Sequence, residues 1–151
     1  MIEVALYQPD IPQNLGAAIR LCACLNMKLH IIEPCGFPFS DRKIRQSGMD
    51  YIDLVQLERH KSWDAFCEAT QSQRHILMTT KSSEAYTQFE FEKNDILIAG
   101  RESAGVPDNV HESVDHRVLI PMHGQARSLN VINSVSMISG EALRQTGFEN
   151  D

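Results

Sequence analysis

No stretch of this chain approaches the roughly 20 apolar residues that would span a bilayer. Its opening "MIEVALYQPD" has an acid at the third position and no basic run, unlike a secretory leader. The four cysteines (Cys22, Cys24, Cys35, Cys67) form no C-x-x-C pair and no disulfide framework, a usage that suits a reduced, cytoplasmic compartment. Cys22 and Cys24 read as small buried hydrophobes on the first helix rather than a metal clip. Basic charge is also scarce: 14 Lys and Arg against 20 Asp and Glu give a net charge of −6. That balance argues mildly against a phosphate-rich partner, although "DRKIR" (41–45) and "RHK" (59–61) concentrate bases locally. Repeats, low-complexity tracts and linkers are missing as well, so residues 1–151 read as one domain.

What is present alternates between short apolar runs and helical patterns. "IEVALY" (2–7), "KLHIIE" (28–33), "DLVQLE" (53–58), "HILMTT" (75–80), "DILIAG" (95–100) and "HRVLIP" (116–121) read as strands. Between the first two, Leu15, Ile19, Cys22 and Leu25 fall at helical spacing behind Pro12. "SDRKIRQSG" (40–48) reads as a short polar helix, "SWDAFCEAT" as a helix capped by Ser62, and a last helix runs from near Ser128 to about Gln145. Strands of this kind, separated by helices, predict an α/β fold: a mostly parallel sheet with helices on both faces.

The run "ILIAGRESAGVP" (96–107) carries the sharpest local signal. Its second glycine is followed by Val106 and Pro107, which excludes a Walker loop and matches a dinucleotide fingerprint poorly. Two neighbouring strands end in a similar way. "LMTTK" finishes on small hydroxylated residues, and "VLIPMHGQARS" on a proline and a polar loop. Ligands of open α/β sheets sit beyond the carboxyl ends of the strands. Three such ends, rich in backbone donors and acceptors, suit a purine and an amino-acid moiety better than a polyphosphate. The final helix adds that residues 128–140 hold no charge at all; Val131, Val135, Ile138 and Ala142 make one face, so burial on most sides, by the chain and by a second copy, is expected. "HESVDH" misses H-E-x-x-H by one residue. On a helix that spacing turns His116 about 140° from His111, so both read as surface residues and neither as a metal ligand.

Taken together, "ALYQPDIPQNLGAAIRLC", "LHIIEPCGF", "ILIAGRESAGVP" and "IPMHGQARSLNVINSVS" resemble the SPOUT superfamily of RNA methyltransferases along nearly the whole chain. Within it the chain is most similar to the small enzymes that methylate the 2′-hydroxyl of the tRNA wobble nucleotide, cytidine-34 or uridine-34. The resemblance implies a C-terminal trefoil knot, which physical reasoning alone would not predict. It further implies a homodimer, S-adenosyl-L-methionine as cofactor, no metal, and the anticodon loop of tRNA as partner. Cofactor contacts carry over onto Met78, Gly100, Ile120 and Ser128, and supporting roles onto Asn14, Glu102, Gly105 and Asn130. Arg20 matches the arginine held to activate the ribose hydroxyl. Because a guanidinium stays protonated, gripping a phosphate and orienting the hydroxyl suit it better than direct proton removal. Glu102 reads as ordering its loop or as taking a proton. Arg42, Lys43, Arg45 and Arg127 are candidate RNA contacts. Ile132 departs from the family pattern, as does a short 110–117 loop. Two other readings stay open: a SPOUT enzyme acting on another RNA site or a base nitrogen, and a non-catalytic flavodoxin-like binding module.

Overall fold

The computed structural model describes residues 1–40, 42, 46, 51–125 and 129–148. Among them, six strands form one sheet in the order β3-β2-β1-β5-β4-β6, and every pairing is parallel. The strands are β1 (Glu3–Tyr7), β2 (Lys28–Ile32), β3 (Leu57–His60), β4 (His75–Met78), β5 (Ile96–Ala99) and β6 (His116–Val118). Helices α1 (Pro12–Leu25) and α4 (Val131–Thr146) cover one face; α2 (Trp63–Ala69) and α3 (Asp108–Ser113) cover the other. A parallel sheet has no polar face to offer water, which is why its central runs are apolar throughout. All four residues of β5 are buried, and so are the last four of β1 and of β2.

Each helix follows from its local sequence. Pro12 opens α1 at a position where a missing N–H costs nothing, and Asn26 closes it in the left-handed conformation at φ 54°, its N–H donating to the Cys22 carbonyl. Ser62 caps α2 by accepting the Ala65 N–H at 3.1 Å. The last helix begins three residues later than the sequence suggests, because Asn130 is its cap: the amide oxygen accepts from Ile132 and Asn133 at 2.8 and 3.3 Å. Its buried side comprises Ile132, Val135, Ile138, Ser139, Ala142 and Leu143, whereas Asn133, Ser136 and Met137 remain exposed. Within the single chain, one side of the helix is therefore covered and the uncharged outer face of residues 131–140 is open.

Three other expectations need correction. The third strand does not start at Asp53. Residues Tyr51–Asp53 form a 3-10 turn, and Tyr51, Ile52 and Val55 pack as partly buried residues on the α1 side of the core. That apolar run imitates a strand, but the ladder begins only at Leu57, opposite Leu29. Of the first-helix cysteines only Cys22 is buried, its thiol pushed by that burial up to about 12; Cys24 is exposed. His116 is not on a helix with His111 at all, since α3 ends at Ser113 and His116 opens β6. The polar helix read over 40–48 lies mostly outside the described residues; Arg42 is exposed.

The Gly100–Gly105 segment folds on itself. Arg101 and Gly105 exchange both backbone hydrogen bonds, at 3.0 and 2.9 Å, and Gly105 sits at φ 64°. A Cβ on Gly100 would lie 2.8 Å from the Gly105 carbonyl carbon. The missing Cβ of the first glycine thus makes room for the backbone of its own loop. Replacing Gly100 by Ala is expected to lower stability by about 1–3 kcal/mol through overpacking, measured as a shift in urea midpoint. Gly124→Ala, where an added Cβ meets nothing within 4 Å, is expected to change it by less than about 0.5 kcal/mol.

Under α2 lies a buried aromatic layer in which His75 stacks on Phe66 at 5.0 Å between ring centres. Thr70 Oγ1 donates to the Phe66 carbonyl, so His75 Nε2 is the donor in its 2.8 Å contact with that hydroxyl. Burial depresses the His75 pKa, and burial does the same at His60. The unfolded chain then binds more protons below the ordinary histidine value of about 6.5. Stability contributed by these neutral rings is present above that value and is lost as the pH falls below it. Urea midpoints are expected to drop between pH 7.5 and 5.5, with a shallower drop in His75→Gln, which leaves His60 to titrate; an unchanged slope would contradict the assignment.

Candidate active site

The registers of β4, β5 and β6 decide where the site lies. Met78 is opposite both Ala99 and Val118, so the three strands end level and their next residues form one rim. The rim is tied by Thr79 N–H donating to Val118 O at 3.0 Å and by the bridge between Ala85 and Leu119. Beyond it opens a cleft of about 550 Å³. Met78, Gly100 and Ile120 all line it, as do Asn14, Glu102, Gly105 and Asn130. The fourth expected cofactor contact, Ser128, lies outside the described residues, together with Lys43, Arg45 and Arg127. Thr79 and Thr80, read from the sequence as a small hydroxylated strand end, line it too.

A chain of hydrogen bonds joins the motifs across the sequence. Asn130 Nδ2 donates to Asn14 Oδ1 at 3.3 Å, and Asn14 Nδ2 donates to Glu102 Oε1 at 3.2 Å. The other Glu102 oxygen accepts the Asp10 N–H at 3.1 Å, while Ser103 donates its hydroxyl to the Asp10 carboxylate. One carboxyl group therefore fastens the loop after β5 to the end of β1 and to α1. Burial, then the neighbouring Asp10, raises the Glu102 pKa; hydrogen bonding with Glu102 and then Ser103 lowers that of Asp10. Of the two, Glu102 is the one that keeps a proton longer.

The walls suit a small, mostly uncharged ligand. Leu77, Met78, Ile120, Val131 and Ile138 supply apolar surface, and the charged lining residues balance, Lys81 and Arg101 against Glu102 and Asp108. A polyphosphate would need an excess of positive charge that the described lining residues do not supply; a purine, or a zwitterion bearing one further cationic group, would not.

One candidate residue lies outside the cleft, and one residue departs from expectation. Arg20 is exposed on α1, its guanidinium 5.1 Å from the centre of the Tyr51 ring, and it is not part of the cleft lining. Six residues separate it from Asn14, which turns it about 120° around the helix. His111, taken for a surface residue, lines the cleft and has a buried Nε2 with no hydrogen-bond partner among the described residues. The available signal was positional: α3 starts directly after the glycine loop, so a residue one turn in faces that loop. Ile132, the departure from the family pattern, is 9% exposed in the core and so affects packing. The "RHK" cluster is not an open basic patch, because Arg59 pairs with Glu33 and stacks on Phe39 while His60 is buried.

Comparison with known proteins agrees with this geometry. A protein of Beijerinckia indica, named tRNA (cytidine(34)-2'-O)-methyltransferase, is 56% identical over 146 residues, covering 95% of this chain and 91% of its own. The protein of the same name from Escherichia coli K12 is 39% identical over 98% of this chain and 96% of its own. A solved structure concerned with the 2-OH methylation of C/U34 on tRNA superposes with a TM-score of 0.90 at 38% identity, over 96% of this chain and 95% of that one. The SpoU methyltransferase AviRb of Streptomyces viridochromogenes, in complex with AdoMet, shares the fold at a TM-score of 0.85 and 24% identity, over 96% of this chain and 60% of that one. With the family's model matching residues 1–139, the chain belongs to the SpoU rRNA methylase family.

Proposed function

We propose that this protein transfers the methyl group of S-adenosyl-L-methionine to the ribose 2′-hydroxyl of the wobble nucleotide of tRNA, cytidine or modified uridine at position 34. The observation that carries the reading is the level rim of β4, β5 and β6, which gathers Met78, Gly100 and Ile120 around one cleft of mixed polar and apolar lining whose described charges balance. The names of relatives that match almost end to end supply the substrate. Among the described residues no helix is long and apolar enough to cross a membrane.

When bound, the cofactor supplies a methyl group already activated on a sulfonium. The chain then has to bind, orient and move one proton. Met78, Gly100, Ile120 and Ser128 hold the cofactor, mostly through main-chain groups at the strand ends. Glu102 orders the loop through Asn14 and the Asp10 N–H, and Asn130 aligns the α4 terminus with the same network. Arg20 works from the exposed side of α1 on the sugar–phosphate, fixing the hydroxyl and favouring its ionised form. Arg42, Lys43, Arg45 and Arg127 contact the anticodon loop, whose splayed bases a small protein can read. A homodimer accompanies this role: Ile11, Leu129 and Met137, 40–43% exposed at the ends and outer face of α1 and α4, form its apolar contact. The trefoil knot of the family belongs to the same reading.

Incubating the protein with labelled cofactor and total tRNA from a strain lacking it is expected to place label on the ribose of nucleotide 34, read by nucleoside mapping; label elsewhere overturns the substrate. Arg20→Ala is expected to lower kcat/KM by about 10²-fold or more while cofactor affinity stays within about twofold.

Glu102→Gln keeps an oxygen toward the backbone N–H and is expected to retain activity within about tenfold, with Glu102→Ala much weaker. Equal loss in both variants would instead assign Glu102 a proton-transfer role.

A further inference from the structure

Far along the sheet from the cleft, at the β2–β3 edge, three polar side chains converge in a place the proposed reaction does not use. Parallel register sets His30 directly opposite Glu58, and His60, two residues on, projects to the same face. His30 Nδ1 is 2.9 Å from His60 Nε2, which is 3.0 Å from Glu58 Oε2; that oxygen is 3.8 Å from His30 Nδ1. Neither imidazole is open to water, at 1% and 6% exposure, and none of the three residues lines the cleft.

We propose that His30, Glu58 and His60 form a binding site for a divalent cation of the zinc type, which staples the edge strand β3 to β2. The proton count carries the argument. His30 Nε2 faces Glu3 Oε1 at 2.6 Å, so in the neutral ring the proton sits there and Nδ1 offers a lone pair. That lone pair and the Glu58 carboxylate then compete for the single proton on His60 Nε2. Replacing this one proton by a cation turns all three atoms into ligands at once. Zinc bound tetrahedrally by nitrogen and oxygen at about 2.0–2.2 Å needs ligand atoms about 3.4 Å apart, and the observed separations straddle that value.

The surroundings fit a ligand set held in advance. Glu3 fixes the His30 tautomer and is itself held by Gln73 Nε2 at 2.9 Å, the carboxylate–histidine arrangement that orients metal ligands. Phe66 sets the ring planes, meeting His30 and His60 edge-on at 5.4 and 5.3 Å between centres. Two carboxylates, Glu3 and Glu58, face one ammonium, Lys28, whose Nζ is 3.4 Å from the second Glu58 oxygen. The local balance is thus negative, and the half-exposed Glu58 leaves an outer coordination position for water.

The test uses the whole protein, stripped of metal and titrated with Zn²⁺ alone. One ion per chain is expected to bind, and at a hundredfold excess over Kd the thermal midpoint is expected to rise by about 5–10 °C. Glu58→Gln, a change at a half-exposed position that leaves folding intact, is expected to weaken binding at least tenfold, His60→Ala to abolish it, and Glu3→Gln to weaken it about 10–100-fold. Co²⁺ in place of Zn²⁺ is expected to give tetrahedral visible bands without a thiolate charge-transfer band. No midpoint shift, a shift that survives in both Glu58→Gln and His60→Ala, or a thiolate band pointing to the cysteines would each overturn the proposal and leave a purely hydrogen-bonded cluster.

Discussion

Everything this chain offers a ligand depends on one constraint, the register of β4 against β5 and β6. Hydrogen bonding places Met78 level with Ala99 and Val118. A slip of one residue would turn Ile76 and Met78 to the opposite face and leave the three ends stepped. The register is enforced by burial: Ile76, Leu97, Ala99 and Val118 point into the α1–α4 core, and Leu77, Ile96 and Ile98 into the α2–α3 core. Each fully buried aliphatic side chain contributes on the order of 1.5–3 kcal/mol, so a slip that exposed several would cost more than a domain's whole stability. The rim is therefore as rigid as the core beneath it, and a cleft built on it is preorganised.

On that rim two devices hold the loop after β5 in place. Gly100 and Gly105 let the loop close on itself, because the absent Cβ of the first accommodates the backbone of the second. Glu102 then ties the closed loop to Asp10 and Asn14, elements more than 80 residues away in sequence. The entropy of ordering five loop residues is large, about 1–2 kcal/mol each for backbone alone. Paired backbone bonds and a half-buried carboxyl offset it without placing a bulky side chain in the space a ligand occupies.

Much of this was legible in the sequence because its signals are local. Pro12 and the Leu15, Ile19, Cys22 spacing define α1, Ser62 caps α2, and the runs ending in Met78, Ala99 and Val118 are apolar enough to be buried strands. Asn14, Glu102 and Asn130 were legible only through resemblance: residues 14, 102 and 130 meet through tertiary folding, and no spacing rule links them. Residues 51–55 misled for a physical reason, since an apolar run that packs on the flank of a helix has the same composition as one that joins the sheet. His30, His60 and His75 gave no signal, because each is a lone histidine in an otherwise ordinary strand, and only parallel register brings the first two together. Arg20 was found by motif, but its place outside the cleft could not be, as one exposed helix position looks like another in sequence.

The two polar centres divide the sheet between them. Strands β4, β5 and β6 hold the cleft at their carboxyl ends, whereas His30, Glu58 and His60 lie on β2 and β3, with Glu3 of β1 behind them. A buried polar group costs about 1–3 kcal/mol when left unpaired, so each centre draws its partners from its own neighbours. At the cleft Asn130, Asn14 and Glu102 pair with one another and with the Asp10 N–H, whereas His111 Nε2 and Asp10 Oδ1 have no partner among the described residues. At the sheet edge Glu3, itself held by Gln73, accepts from His30, and His60 Nε2 lies between His30 Nδ1 and Glu58. The interior between them is apolar, so neither network has a polar route to the other, and the chemistry at one can vary without disturbing the other. That independence lets the edge cluster serve β3, the strand with the fewest buried side chains among the first three, while the opposite half stays committed to the cleft.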